Sequence, residues 1–229
     1  MSQAPKLTIV LSPPRCASMW MYNAVRLSLR GAGYGVFPET IAFGQDQLEA
    51  LFARAAADRD PQSTYVLKSH LMIDRSSDGV RSMIDRSRDS VRIVTVLRDP
   101  RDMVVSLNAF LSGHPPQMGA ADMIASLISF YDHLDAAWPD VLHKVDYRDV
   151  VARPQSVIAG LRAFLNLAPD ADADAQLADT LSHDAVKRII AAAERRPPTQ
   201  HPSPYDLSDR ALDPTTGFQT GHIADGATG

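Results

Sequence analysis

Leu7-Thr8-Ile9-Val10-Leu11 is followed by Ser12-Pro13-Pro14-Arg15-Cys16-Ala17 and then by a segment from Ser18 to about Arg30. The first five residues are a β-rich apolar run, the prolines stop it, and the next stretch has helical composition until Gly31 and Gly33 end it. Strand, loop and helix in that order are the opening unit of an α/β sheet.

Working outward, a helix fits Gln45 to Ala57 and a strand fits Thr64 to Leu67, ending at Lys68-Ser69-His70. A short helix is expected around Asp78 to Ile84. Val91 to Leu97 is nearly all apolar, as a parallel strand covered on both faces should be. After it, Asp99 can cap a helix whose first residue is Pro100 and whose third-position acid is Asp102, running to about Leu111. Met123, Ile124, Leu127, Ile128, Tyr131, Leu134 and Trp138 recur at three-and-four spacing, which predicts a long amphipathic helix over Ala120 to Trp138 with its stripe in the core. Val141 to Tyr147 reads as a strand, and Pro154 to Leu165 and His183 to Arg196 read as helices. The alternation predicts an α/β fold, a mostly parallel β-sheet flanked by helices on both faces. Residues 1–196 form one domain in this reading. Residues 197–229 hold five prolines and four glycines with little periodicity, and predict a loop-rich tail that either wraps the domain or is mobile.

Of 229 residues, 45% are hydrophobic and 22% charged, enough to bury a full core. Lys plus Arg number 23 against 27 Asp plus Glu, a formal charge of −4. That balance argues against a general nucleic-acid binder, so any anion site must be local. The single cysteine, Cys16, argues against a disulfide framework or a cysteine-rich metal site and suits a reducing compartment. Leu7 to Leu11 is too short for a membrane span and lacks a signal peptide's features, so a soluble cytoplasmic protein is expected.

Ligands of an open parallel sheet bind outside the carboxyl ends of its strands. Three strands carry a basic residue near that end: Arg15, Lys68 and Arg98. Helix starts at Ser18 and Pro100 would add backbone N–H groups and positive dipole ends to the same rim. The expected site therefore takes a polyanion. A standard ATP loop requires Gly-Lys, and none of the lysines (Lys6, Lys68, Lys144, Lys187) follows a glycine. A Cys-x5-Arg phosphatase would need arginine where Tyr22 stands, so Cys16 reads as a small loop or core residue. The seven histidines are scattered and show no His-Glu-x-x-His spacing, so no metal is expected.

From Leu7 to about Leu167 the chain resembles the sulfotransferases that use 3′-phosphoadenosine 5′-phosphosulfate (PAPS), in four separated pieces in the right order. Ser12 to Trp20 is similar to that family's 5′-phosphosulfate loop: Pro, a basic residue, Ser, Gly, Thr or Ser, Thr, Trp. Arg15 takes the basic position and Ser18 a hydroxyl position, with Cys16 between Arg15 and Ala17 and Trp20 closing the segment. Ala17 stands where glycine is usual and should keep φ negative, and Met19 removes a hydroxyl donor. Lys68-Ser69-His70 resembles the Lys-Thr-His segment whose histidine is the general base. Val96 to Ser106 resembles the 3′-phosphate segment, implying that Arg98 and Ser106 share a phosphate. Asp146-Tyr147-Arg148-Asp149 resembles the Tyr-Glu-Asp segment, implying that Tyr147 lies near the adenine. The late Arg-Lys-Gly-x-x-Gly loop of the family is matched only by the glycine spacing around Gly226, with Ala224 and Asp225 in the basic positions.

The resemblance implies a P-loop-nucleotide-hydrolase-like, three-layer fold and transfer of a sulfuryl group from PAPS to a hydroxyl or amine of a small-molecule acceptor, releasing adenosine 3′,5′-bisphosphate (PAP). Arg15, Lys68 and His70 would be the catalytic set, without metal, nucleic acid or membrane as partner; a homodimer is compatible. The competing readings are a P-loop-like nucleotide kinase or other phosphotransferase, and a catalytically silent PAP-binding protein. Phe37 to Gly44, Met72 to Ser77 and Asn108 to Met118 would frame the acceptor.

Overall fold

The computed structural model describes residues 3–39, 45–70, 82, 84–110, 119–195 and 211–220, without the side chains of 45–48. Its elements are β1 (Leu7–Leu11), α1 (Ser18–Gly31), β2 (Gly35–Phe37), α2 (Gln45–Ala57), β3 (Ser63–Ser69), β4 (Val91–Leu97), α3 (Pro100–Phe110), α4 (Ala120–Ala137), β5 (Leu142–Asp146), α5 (Tyr147–Ala152), α6 (Pro154–Phe164), α7 (Ala171–Thr180) and α8 (His183–Glu194). The helix expected around Asp78 to Ile84 falls largely outside the described residues. Tyr147, expected at the end of a strand, instead opens α5, because the Asp146 carboxylate accepts from the Arg148 N–H and caps a helix there.

The five strands form one all-parallel sheet in the order β2-β3-β1-β4-β5. Alternation along each strand divides the core. Val10, Val66, Val94, Val96 and Val145 face α1, α6, α7 and α8 in one buried cluster. Leu7, Ile9, Leu11, Tyr65, Leu67 and Ile93 face α2 and α4 in the other, meeting Leu51, Phe52, Phe130, Leu134 and Trp138. This is the α/β three-layer arrangement, and each fully buried aliphatic side chain in it contributes roughly 1.5–3 kcal/mol. The α4 stripe is core as expected at Leu127, Leu134 and at Trp138 just beyond it, but Ile128 is half exposed and Phe130, outside the expected stripe, is buried. No helix among the described residues is long and apolar enough to cross a membrane.

Register places the chemistry. Leu11 pairs with Ser69 across β1–β3, and Leu97 with Asp146 across β4–β5. The next residue on each strand, Ser12, His70, Arg98 and Tyr147, therefore stands just past the sheet's carboxyl end. β1 sits centrally with β3 on one side and β4 on the other, which is the switch in strand order where open sheets hold ligands.

Part of the tail wraps the domain. Residues 211–220 form a tight turn closed by a Leu212–Gln219 antiparallel bridge. Asp213 Oδ1 accepts from the N–H and hydroxyl of Thr216, each at 2.9 Å, and Gly217 supplies a φ of 69°. The turn docks on α1: Asn23 Nδ2 donates to the Thr216 carbonyl at 2.8 Å, Arg26 Nη1 donates to the Thr215 carbonyl at 2.7 Å, and Phe218 is buried in the first core cluster.

Candidate active site

The loop between β1 and α1 turns through two left-handed residues, Arg15 and Ala17, each with φ of 67°. The expectation that Ala17 keeps φ negative is thus corrected: the path of the loop into α1 overrides the preference of an alanine. A left-handed non-glycine residue costs about 1–2 kcal/mol. Exchanging Ala17→Gly should relieve most of that, less the larger unfolded-state entropy of glycine, for a net gain of about 1 kcal/mol and a midpoint about 2–4 °C higher in thermal unfolding. Left-handed residues alternating in a short loop are the geometry from which concave anion sites of backbone N–H groups are made. The start of α1 has no side-chain cap, so its dipole end and first N–H groups face the same loop.

The side chains of that loop divide their tasks. Cys16 is fully buried, donates its thiol to the Pro13 carbonyl at 2.8 Å, and burial pushes it up to about 12, so it remains a neutral thiol that ties the loop. Ser18 is buried at the first position of α1, and Met19 packs in the core rather than facing a ligand. Trp20 donates its indole N–H to the Leu181 carbonyl at 3.0 Å, locking α1 to the end of α7.

Arg15 reaches α3, where its Nε donates to Ser106 Oγ at 3.0 Å and its guanidinium lies 4.7 Å over the Phe110 ring. Arg98, from the end of β4, donates Nη1 to the Arg15 carbonyl at 2.7 Å and lies 4.2 Å over the Tyr147 ring. Its Nε is buried with no hydrogen-bond partner among the described residues. Such an unsatisfied donor costs free energy unless an acceptor meets it, and Arg26 and Arg88 carry the same feature. Ser106, expected to share a phosphate with Arg98, bonds to Arg15 here. Arg101, three residues after Arg98, is occupied by Asp99, whose carboxyl its guanidinium holds down to about 2.

Lys68 and His70 leave β3 two residues apart and so point to the same face. Lys68 is 3% exposed, and its Nζ lies 2.6 Å from His70 Nε2. His70 Nδ1 lies 2.7 Å from the Ser12 carbonyl oxygen. A carbonyl can only accept, so Nδ1 carries the proton and Nε2 the lone pair. Burial pushes Lys68 down to about 7. His70 as a residue is exposed, yet burial around its nitrogens and then the Lys68 charge push it down to about 3 against the Ser12 carbonyl. His70 is therefore a neutral imidazole at neutral pH.

Ser12 was not singled out by sequence, yet it joins three strands. Its N–H donates to the Ser69 carbonyl at 3.2 Å, its carbonyl fixes His70, and its Oγ accepts from the Val96 N–H at 3.0 Å. A small polar residue at the buried end of β1, just before two prolines, was the available signal. Tyr131 adds a bond from α4 to the Val96 carbonyl at 3.0 Å. Arg15, Lys68, His70, Arg98, Ser106 and Tyr147 are thus linked around one rim, while Gly226 lies outside the described residues. The rim joins cations and loop N–H groups to a neutral base. It can hold a polyphosphorylated ligand and accept a proton beside it.

A family model described as a sulfotransferase domain matches residues 5–196. Retinol dehydratase in complex with androsterone and the inactive cofactor PAP superposes with a TM-score of 0.54 at 17% identity, over 82% of this chain and 67% of that one. A mouse sulfotransferase complexed with PAP gives 0.53 at 13% identity, over 80% and 66%. Retinol dehydratase with retinol and PAP gives 0.52 at 18%, over 82% and 67%. This chain spans about two thirds of the length of each. At these identities the likeness is one of fold. No curated protein sequence matches.

Proposed function

This chain belongs to the sulfotransferase domain family, and from that premise we propose that it transfers a sulfuryl group from PAPS to a hydroxyl or amine of a small-molecule acceptor. The observation that carries the reading is the rim itself: a neutral histidine with a fixed tautomer, 2.6 Å from a buried lysine and beside two arginines and a left-handed phosphate-type loop. The orphaned Arg98 Nε supports the fit to a nucleotide carrying a second phosphate. The structures of retinol dehydratase hold androsterone or retinol, which supports a small-molecule acceptor here. The single buried cysteine favours a cytoplasmic setting.

PAPS supplies the sulfuryl group joined to a phosphate that leaves as PAP. Within this chain, Arg15, Lys68 and the loop N–H groups hold the 5′-phosphate end and offset the charge that develops toward the bridging oxygen. Arg98 holds the 3′-phosphate, with Ser106 at its side, and Tyr147 lies beside the adenine. His70 Nε2 takes the proton from the acceptor, and its Nδ1–H, held by the Ser12 carbonyl, keeps the ring oriented and stabilises the imidazolium as it forms. Protein cations perform the charge neutralisation in this scheme.

The test is a thermal-shift titration with PAP, beside ADP and ATP with magnesium, followed by an acceptor screen with PAPS. Saturation at a hundred times the dissociation constant adds about 2.7 kcal/mol, which for a chain of this size raises the midpoint by about 5–10 °C. A shift with PAP alone supports the reading; a shift with magnesium-ATP and none with PAP overturns it in favour of a phosphotransferase.

A pH dependence follows from Lys68. Its proton is held at about 7 by burial, whereas an unfolded lysine holds it near the ordinary value of 10.5. Between those two values the unfolded chain binds more protons than the folded one, so the Lys68 contribution makes the fold more stable as pH rises through that window. Donor binding works the other way. A phosphate favours the ammonium form, so PAP binding should take up a proton, and PAP affinity should fall as pH rises above about 7. Calorimetry of PAP binding in buffers of different ionisation enthalpy reads that uptake directly; uptake that persists in a Lys68→Met variant would assign it elsewhere.

A further inference from the structure

We propose that Lys68 caps the base nitrogen of His70 in the donor-free protein and that the 5′-phosphate of the donor draws it away, so that the base becomes available only once the donor is in place; this rests on the donor reading above. The argument is geometric. The imidazole has one lone pair, and the Ser12 carbonyl fixes it on Nε2, because Nδ1 must carry the hydrogen that the carbonyl accepts. That lone pair is where an acceptor hydroxyl would have to donate, and Lys68 Nζ is already there at 2.6 Å. The contact is intrinsic to β3: residues 68 and 70 are neighbours on one face of the strand end.

The cap is also movable. Lysine carries its nitrogen on a four-carbon stem with rotatable bonds, whereas the imidazole is held by the Ser12 carbonyl. Lys68 stands beside the start of the phosphate-type loop, since it pairs with Val10 near the end of β1. An anionic phosphate oxygen in that loop is a far stronger acceptor for an ammonium group than a neutral imidazole nitrogen. Binding of the donor therefore trades one Lys68 partner for a better one, and the nitrogen left behind becomes free to receive the acceptor proton. Base availability and donor occupancy are coupled through a single side chain, and the coupling is reciprocal: an acceptor that needs Nε2 also favours the donor-bound arrangement.

The experiment uses the full chain labelled with ¹⁵N-histidine, the His70 signals being identified among the seven histidines by their loss in His70→Gln. The probe is PAP, and its binding is scored independently by thermal shift. The expected result is that PAP moves the His70 Nε2 resonance downfield, toward that of an unbonded neutral nitrogen, while Nδ1 keeps its protonated signature. The Lys68→Met variant should give the same displaced resonance without PAP. Methionine is apolar and of similar length, so it suits a buried position. If PAP stabilises the protein and the Nε2 resonance stays where it was, the cap is refuted while the donor reading stands. A donor-free wild-type Nε2 signal already equal to that of Lys68→Met refutes it as well. Absence of PAP binding overturns the donor reading instead, and the comparison of wild type with Lys68→Met still decides whether the cap exists.

Discussion

Replacing His70 by alanine lowers turnover about 10²- to 10⁴-fold, the usual contribution of a positioned general base, and leaves PAP binding in place. The expectation follows from where the histidine stands. His70 is neutral and exposed, with its protonated nitrogen tied to the Ser12 carbonyl and its other nitrogen aimed at Lys68. Of the cations that would grip the nucleotide, Lys68 meets the imidazole, whereas Arg15 and Arg98 are held by Ser106, Phe110, Tyr147 and the Arg15 carbonyl. Removing the ring should therefore deprive the acceptor of its proton sink without dismantling the anion site. Parallel PAPS turnover and PAP calorimetry on the variant check the separation. Loss of PAP affinity together with activity would make His70 a structural post for the rim rather than its base.

The second large effect belongs to Arg98. Arg98→Ala should weaken PAP binding roughly a hundredfold, since hydrogen bonds to charged groups contribute about 1.5–3 kcal/mol each and every 1.4 kcal/mol is tenfold. Two of its features predict where the loss falls. Its buried Nε, which has no hydrogen-bond partner among the described residues, suits the proposed phosphate contact, and its bond to the Arg15 carbonyl supports the left-handed loop. Most of the loss should appear with PAP and a smaller part with ADP, which lacks the 3′-phosphate, so discrimination between the two collapses. Arg98→Lys should recover only part of the affinity, because an ammonium cannot both bond the Arg15 carbonyl and present a fork to phosphate. Equal losses for PAP and ADP would assign Arg98 to loop support alone.

The fold was legible where apolar runs were continuous and ends were punctuated. β1 and β4 were readable from Leu7 to Leu11 and Val91 to Leu97, and α3 from Asp99-Pro100, whose cap is realised by Asp99 Oδ1 accepting from the Arg101 N–H at 2.9 Å. β2 was missed because three residues beginning with glycine carry too little pattern, and it exists only by pairing with β3. α7 was missed because alanine and aspartate dominate it and give no apolar stripe; its place is set instead by the Asp170 cap and by the buried pair of Asp174 with Arg162 at 3.3 Å. The site was legible as a set of cations at strand ends, since parallel strands deliver their last residues to one rim. Its internal wiring was not. That Ser106 meets Arg15, that Ala17 adopts a positive φ and that Ser12 fixes the histidine all depend on the register of β1 against β3 and β4, which no local pattern encodes.

The turn at 211–220 gives α1 a problem of timing. Asn23 and Arg26 meet their carbonyl partners 193 and 189 residues later in the chain, and Phe218 completes the cluster beneath them. At synthesis rates of about 5–20 residues per second, the helix that carries the phosphate-type loop waits about 10–40 s on the ribosome for the segment that covers it. During that interval a buried guanidinium of the finished protein and the apolar seat of Phe218 are open to solvent. The nascent domain is thus a species with an uncovered α1, and a segment made 189 to 193 residues later is the one that closes it.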